Sequence, residues 1–448
     1  MDLTREKAHA IFDYAVQAAR KLGVRDVEVI ISCRRAALTR FANNSIHQNV
    51  AERAGEVSVR AVWDGRTARA STNRFDQEAV AEATERAISL TRATSPDTDL
   101  LPMAEPSVIT PVDRFSPCTA ECTPRERADA AAAAIAEAER LSLNAAGIYS
   151  TESAEEALFN SRGVNAWHQE TMARFSITAM GADSSGWAKG SAVDRGAIDP
   201  VAMARQAAAK ASRSANPREA PPGRYTVILE PAAVLDLVGQ MFADFSATAL
   251  ADQRSFLTER IGTQLFGENI TIGDEVFHPL QAGPPFDFEG VPRRRIRLVD
   301  RGRPVDVVYS RAAAHRAGRG ATGHGFPLPN EIGEMPLNLV IAGGDVSVDR
   351  MIQSTARGLL ITRLWYIREV DPYEKIMTGM TRDGTFLIED GAVVCGVRNL
   401  RFNQGLIELL RNVEALSPAV RASGEETFDM VVPAMKAHNF LFTEVTRF

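Results

Sequence analysis

A chain of 448 residues is longer than one hydrophobic core usually organises, so two or more domains are expected. With 45% hydrophobic and 24% charged residues it reads as globular, and no apolar run approaches the roughly eighteen residues that would mark a membrane span. A net charge of −6, with no basic run longer than residues 293–295, argues against nucleic acid as the main partner. The opening "MDLTREKAHAIFDYAV" lacks the apolar core and cleavage site of a signal peptide. The four cysteines make no disulfide framework, and Cys118 and Cys122 lack a second pair with which to form a zinc knuckle. A reduced, cytoplasmic protein is expected.

In chain order, residues 4–22 predict an amphipathic helix with Ala8, Ile11, Phe12, Ala15 and Leu22 on one face and Gly23 past its end. Strand-type runs at 26–32 and 36–41 lead to a turn at Asn43-Asn44. Residues 56–72 alternate and turn at Asp64-Gly65. A second helix over 76–93 starts at Asp76 and offers Val80, Ala83, Ala87 and Leu90 to a core. The pattern then recurs. Thr123, Pro124 and Glu126 form a capping box with proline at the first helical position, and an alanine-rich helix runs to about Ser142. Strand-type runs follow, and a helix over 198–214 ends the unit. Two helix–strands–helix units in succession point to an internal duplication.

The proline-rich stretch 215–224 divides the chain, placing one domain at 1–220 and another at 221–448. The second opens with a buried-type strand at 225–229. A long helix from Pro231 follows, with Val234, Leu237, Val238, Met241, Phe242 and Phe245 as one stripe. Asp236, Gln240 and Asp244 would then share the opposite, solvated face. Strands follow around turns at Arg301-Gly302, Asp383-Gly384 and Asp390-Gly391. A short helix is capped by Ser347, another covers 405–416, and strands end the chain. The fold class expected is α+β, with a duplicated helix–strands–helix domain and a C-terminal domain built on a large, mainly antiparallel sheet.

Few segments carry chemistry. "GRGATGHG" (318–325) contains a literal GxGxxG, but a helical run precedes it and "FPLPNE" follows. A dinucleotide fingerprint needs the opposite order, so a plain loop is favoured over one whose bare backbone approaches a ligand. The seven histidines form no HxH, HxxH or HExxH pattern. Cys395, in "AVVCGV", reads as a buried structural thiol. In "PPFDFEGVPRRR" (284–295), Asp287 and Glu289 suit acid–base or metal chemistry. The flanking prolines, Gly290 and the arginines instead favour a shaped turn with charge partners at hand.

Several segments in order carry a resemblance: "LTRFANNSIHQNV", "VILEPAAVLDLV", "RSFLTERIGTQLFGENITIGDE", "PFDFEGVPRR", "ATGHG", "NLVIAGGD" and "GTFLIEDGAVVCGVRNLRF". Together they resemble the TldD/PmbA family from about residue 27 to the C-terminus. The resemblance implies a two-domain protein of a TldD–TldE metalloprotease. In that family the TldD-type subunit carries HExxxH on the first helix of the C-terminal domain. Its two histidines hold zinc, the glutamate activates water, and a later cysteine adds a ligand. The TldE-type subunit lacks these and pairs with TldD around a shared cavity for unfolded or precursor peptides. An older family label is modulator of DNA gyrase.

The present chain has no histidine between His168 and His278, places Val238 and Met241 in the helix stripe, and has no cysteine after Cys395. The resemblance therefore implies the TldE/PmbA branch, with no catalytic residue, no metal of its own, and zinc in a TldD-like partner subunit. Candidates for the peptide cavity, taken from motif position, are Asp287, Glu289, Gly290, Thr322, Gly323 and His324. Two other readings stay open. One is a stand-alone, diverged metallopeptidase using His315 or His324 with a carboxylate. The other is a non-enzymatic modulator of gyrase or of a toxin–antitoxin pair.

Overall fold

Two tight turns decide how the first half of the chain folds back on itself. In the computed structural model, which describes residues 3–446, Asn43 and Asn44 take left-handed φ angles of 49° and 58°. Asparagine tolerates that region better than most residues. The pair joins β1 (Asp26–Ala42) to β2 (Ser45–Trp63), and Asp64-Gly65 turns β2 into β3 (Arg66–Thr72). The two short runs expected at 26–32 and 36–41 are thus one continuous 17-residue strand. Helices α1 (Arg5–Lys21) and α2 (Gln77–Ala93) are capped by the side chains of Thr4 and Asp76. They bury Ala8, Ile11, Ala15, Val80, Ala83 and Ala87 against Val27, Val29, Val57 and Val59. Leu90 is not on that face; it is 50% exposed. Thr91, one position on, turns inward instead and donates its hydroxyl to Ala87 O.

After a single turn, α3 (Pro117–Ala120), the unit repeats as α4 (Pro124–Glu139), β4 (Asn144–Asn160), β5 (Asn165–Met180), β6 (Ser185–Ala192) and α5 (Pro200–Arg213). The Thr123–Glu126 capping box is formed in both directions. β1 and β4 pair antiparallel from Glu28↔Asn160 to Phe41↔Gly147, joining both meanders into one six-stranded sheet, β3-β2-β1-β4-β5-β6. The helices cover one face of this sheet. On the other face lies a cross-strand row, Glu28↔Arg60 and Arg60↔Arg69. Both guanidinium groups bond the Glu28 carboxylate, at 2.8 and 2.7 Å. Arg69 Nε also donates to Leu328 O of the second half.

That half begins with β7 (Gly223–Leu229) and α6 (Pro231–Val238). The long helix expected here stops at Val238, where the chain tightens into a 3₁₀ segment, Gly239–Phe245, before α7 (Ala247–Ala251). Gly239 lies against Thr427; a Cβ there would sit 2.6 Å from its side chain. The apolar stripe is buried except for the half-buried Phe242, but the supposedly solvated face is largely enclosed too, with Gln240 half-buried. Asp236 is fully enclosed, and Asp244 pairs with Lys375 Nζ at 2.6 Å. Packing on both sides of the segment overrides its amphipathic pattern.

Next come β8 (Ile272–Asp274), β9 (Ile296–Asp300), β10 (Arg303–Pro304), α8 (Arg311–Ala317), β11 (Leu339–Ile341) and α9 (Val348–Gln353). The rest is β12 (Arg357–Asp371), β13 (Ile376–Glu389), β14 (Ala392–Gly396), β15 (Leu400–Gly405), α10 (Leu406–Arg411), β16 (Val413–Leu416), β17 (Val420–Ala422), β18 (Met430–Val432) and β19 (Met435–Val445). One sheet runs β10-β9-β8-β11-β18-β17. The other runs β12-β7-β19-β15-β13-β14, and β12 also pairs with β13, so it closes on itself. The pairs are antiparallel except β12–β7 and β11–β18.

Three local expectations change here. Asp383-Gly384 is not a hairpin turn but an irregularity inside β13, where the Asp383 carboxylate accepts from Arg363 Nε and from Ser185 Oγ of β6. The helix expected over 405–416 ends at Arg411, because residues 413–416 pair with β19. Cys395 lies in edge strand β14 and is partly exposed rather than buried. No described helix is long and apolar enough to cross a membrane.

Glu28 is the shared acceptor of two guanidinium groups, and the Glu28 and Arg60 side chains are each 1% exposed. Glu28→Gln leaves both cations without their counter-charge. The expected loss is about 3 kcal/mol, read as a lower denaturation midpoint. A variant as stable as the wild type would show that the row contributes nothing net.

Candidate functional site

The "PFDFEG" segment folds around one carboxylate. Asp287 Oδ1 accepts from Glu289 N at 2.9 Å and Val291 N at 2.8 Å, while its own N–H donates to Val291 O. Gly290 takes a φ of 80° inside this loop. A side chain there would be strained, and its Cβ would lie 2.8 Å from Val164 and 3.0 Å from Leu158 of the first sheet. Phe286 completes that contact, in a cluster with Ile30, Leu158, Val164 and Ala166. The family-type motif is therefore where the second half of the chain seats on the open face of the first sheet.

The glycine run packs directly against it. Asp287 Oδ2 accepts from Gly325 N at 2.8 Å, and Phe288 N donates to Gly325 O. Gly323, at φ 78°, leaves no room for a Cβ, which would meet Pro292 O at 2.4 Å. The expected context holds: α8 precedes the run, Gly318 caps it in the left-handed region, and no helix follows. Thr322 Oγ1 accepts from Tyr309 N at 2.8 Å. His324 lies between Thr322 Oγ1 and Asp274 Oδ1, 2.9 Å from each; the carboxylate can only accept, so Nε2 donates to it. Burial opposes the charge on Asp274, but His324 beside it holds its carboxyl below the ordinary range. Both His324 nitrogens are thus engaged, and the residue is 2% exposed.

Glu289 Oε2 accepts from Arg311 N, the first residue of α8, at 2.8 Å. The arginines expected as charge partners go elsewhere. Arg293 Nη1 donates to Asn338 Oδ1, Arg294 N to Thr322 O, and Arg295 pairs with Glu275. Backbone amides, not guanidinium groups, hold these carboxylates. Burial pushes both upward. Three accepted N–H bonds oppose the push on Asp287, and burial, with Asp287 beside it, pushes Glu289 up to about 8.

None of the six candidate cavity residues lines the cleft that opens beside them. All six are buried: Asp287, Glu289 and Gly290 in the seating loop, Thr322, Gly323 and His324 behind it. The cleft, of ≈ 430 Å³, lies between β5 and β6 and the second half. Its neighbours from the motif are Pro284, Phe288 and Arg293; across from them stand Arg174, Lys189, Arg421 and Asp429. Sequence reasoning missed these last four, because no motif joins residues contributed by separate strands and a loop.

The helix after β7 supplies Asp236. Its Oδ1 accepts from Glu425 N and Glu426 N, and its Oδ2 is buried without a hydrogen-bond partner among the described residues. Burial raises its carboxyl to about 6. The zinc that the resemblance implies for the family finds no ligand set here. Among the described residues no group of three or more His, Cys, Asp or Glu side chains is placed to hold a metal ion.

Profiles of one family match in sequence order: "PmbA/TldA metallopeptidase domain 1" over residues 27–91, the central domain over 121–215 and the C-terminal domain over 222–444. The chain belongs to the TldD/PmbA family. It is 23% identical over 403 residues to metalloprotease PmbA of Escherichia coli O157:H7, covering 85% of each chain. Among solved structures, TldE of Thermococcus kodakarensis superposes with a TM-score of 0.88 at 22% identity, covering 97% of this chain and 100% of that one. A Thermotoga maritima protein described as a candidate modulator of a DNA gyrase gives 0.87 at 20% identity, with the same coverage. This TldD/PmbA fold is α+β with large antiparallel sheets, as expected.

Glu289 holds in the folded chain a proton that the unfolded chain gives up near the ordinary 4.5, so stability falls as pH rises from 4.5 to about 8 and levels off above. Asp236 and Glu156 titrate in the same window, so Glu289→Gln should reduce that slope in denaturation midpoints, most visibly toward pH 8; an unchanged slope would show that Glu289 does not contribute. Asp287→Asn should be the more damaging change, by about 2 kcal/mol, because one end of the amide would point N–H at a backbone N–H.

Proposed function

We propose that this chain is the subunit without zinc in a TldD–TldE-type peptidase. It pairs with a separate TldD-like chain bearing HExxxH and offers binding surface to an extended peptide. The observation that carries the reading is the helix after β7. It stands where the resemblance puts the zinc motif, yet it has no histidine, and its one carboxylate, Asp236, is spent on the backbone of residues 425 and 426. The likeness to a solved TldE supports the same branch. A way of holding peptide is also present. β3 pairs with β2 only from Val57 to Trp63, so residues 45–56 of β2 keep an outer edge without a strand partner among the described residues. An extended peptide can add to such an edge through main-chain hydrogen bonds.

Co-expression with an HExxxH-bearing chain from the same genome tests the proposal. The two should co-purify, and an unfolded protein substrate should be cleaved by the pair while this chain alone does nothing and carries only trace zinc. Hydrolysis by the isolated chain, with an equivalent of bound metal, would overturn the proposal in favour of a stand-alone peptidase.

A further inference from the structure

The cleft beside the seating loop has a lopsided charge. Arg174, Lys189, Arg293 and Arg421 border it, against one carboxylate, Asp429. Two of these cations are already committed. Arg421 donates to Ser191 Oγ, Leu280 O and Asp429 Oδ2; Lys189 donates to Gly424 O and Glu425. The other two are only partly committed: Arg293 Nη1 donates to Asn338 Oδ1, and Arg174 is loosely ion-paired. Arg174 stands 3.6 Å from Glu152 and 3.7 Å from Asp429, beyond good hydrogen-bond reach, with its side chain 40% exposed. Arg293 is 6% exposed, and its Nε is buried with no acceptor among the described residues. An unmet buried guanidinium donor is costly unless something else binds there. Behind Arg293, burial beside Glu170 raises Glu156 to about 7, while Asp274 and Asp287 also lie close enough to feel the arginine's charge.

Beside the polar Gln281, Asn338 and Thr427, the walls carry an apolar group: Pro284, Phe288, Leu337 and Phe428. Nearby backbone N–H groups are taken, Gly283 by Glu170 and residues 425 and 426 by Asp236. A phosphate site would draw on such free amides. This one offers planar guanidinium forks, which match a carboxylate, beside surfaces for an apolar side chain.

We propose that the cleft binds the C-terminal carboxylate of a peptide between Arg174 and Arg293, with the last side chain against Phe288 and Phe428. The assignment rests on the reading of the chain as a peptide-binding subunit and adds which part of the peptide it grips.

The test uses the full chain and a fluorescein-labelled hexapeptide ending in leucine, made as the free acid and as the C-terminal amide, with binding read by anisotropy. The acid should bind about tenfold more tightly than the amide. Arg174→Gln, at the open side of the cleft, should abolish that preference by weakening the acid far more than the amide; Arg293→Gln should do the same if it folds. Equal binding of acid and amide, or a preference that survives Arg174→Gln, overturns the assignment and leaves peptide binding elsewhere on the chain intact. Displacement by inorganic phosphate as effective as by unlabelled acid overturns it in favour of a general anion site. Binding of neither peptide overturns it together with the peptide-binding reading.

Discussion

A buried carboxylate shapes the loop by which the second half of the molecule seats on the first sheet. Asp287 takes three backbone N–H groups, two from its own loop and one from Gly325 in the glycine run. That curls the loop tightly enough for Gly290 to lie on Val164 and Leu158, and for Phe286 to enter the cluster on the sheet face. The same curl aims Glu289 at the start of α8 and leaves Phe288 and Arg293 bordering the cleft. Burial pushes the Asp287 carboxyl upward, and three amide N–H groups, with Arg293 beyond them, oppose that push. Glu289, two residues on, lacks that full set of donors and is pushed up to about 8.

Much of this was legible because the signals were local. Thr4, Asp76 and Thr123 cap helices through their own side chains, and Asn43-Asn44 and Asp64-Gly65 turn strands through their own φ angles. The rejection of a dinucleotide loop at 318–325 needed only the order of neighbouring elements. The errors arose where distant packing outweighed a local pattern. Asp383-Gly384 has hairpin chemistry, yet Arg363 and Ser185 hold it within a strand. The helix from Pro231 has a solvated-looking face, yet residues 424–427 close over it.

The candidate site was legible only in part. Motif order located the two segments that meet, but not their role, since a loop that must seat against a sheet and a loop that must line a cavity draw on the same glycines and carboxylates. The six named residues are buried at the seat. The cleft chemistry stands next to them on Arg174, Lys189 and Arg421, which come from β5, β6 and β17. A cationic cleft of this kind has no spacing rule; it exists only once the strands are side by side.

The pairing of β1 with β4 carries a cost in time. Its partners lie more than a hundred residues apart, and the side chains of Arg34 and Glu152, which bond across it, are separated by 118 positions. Hairpins such as β1–β2 close through two-residue turns, but the central seam of the sheet waits for a long loop to close. Until it does, each meander displays a long bare edge to whatever strand is nearest. A chain still being synthesised therefore has β1 complete well before β4 exists, and its kinetic vulnerability sits at the centre of the finished sheet rather than at its rim.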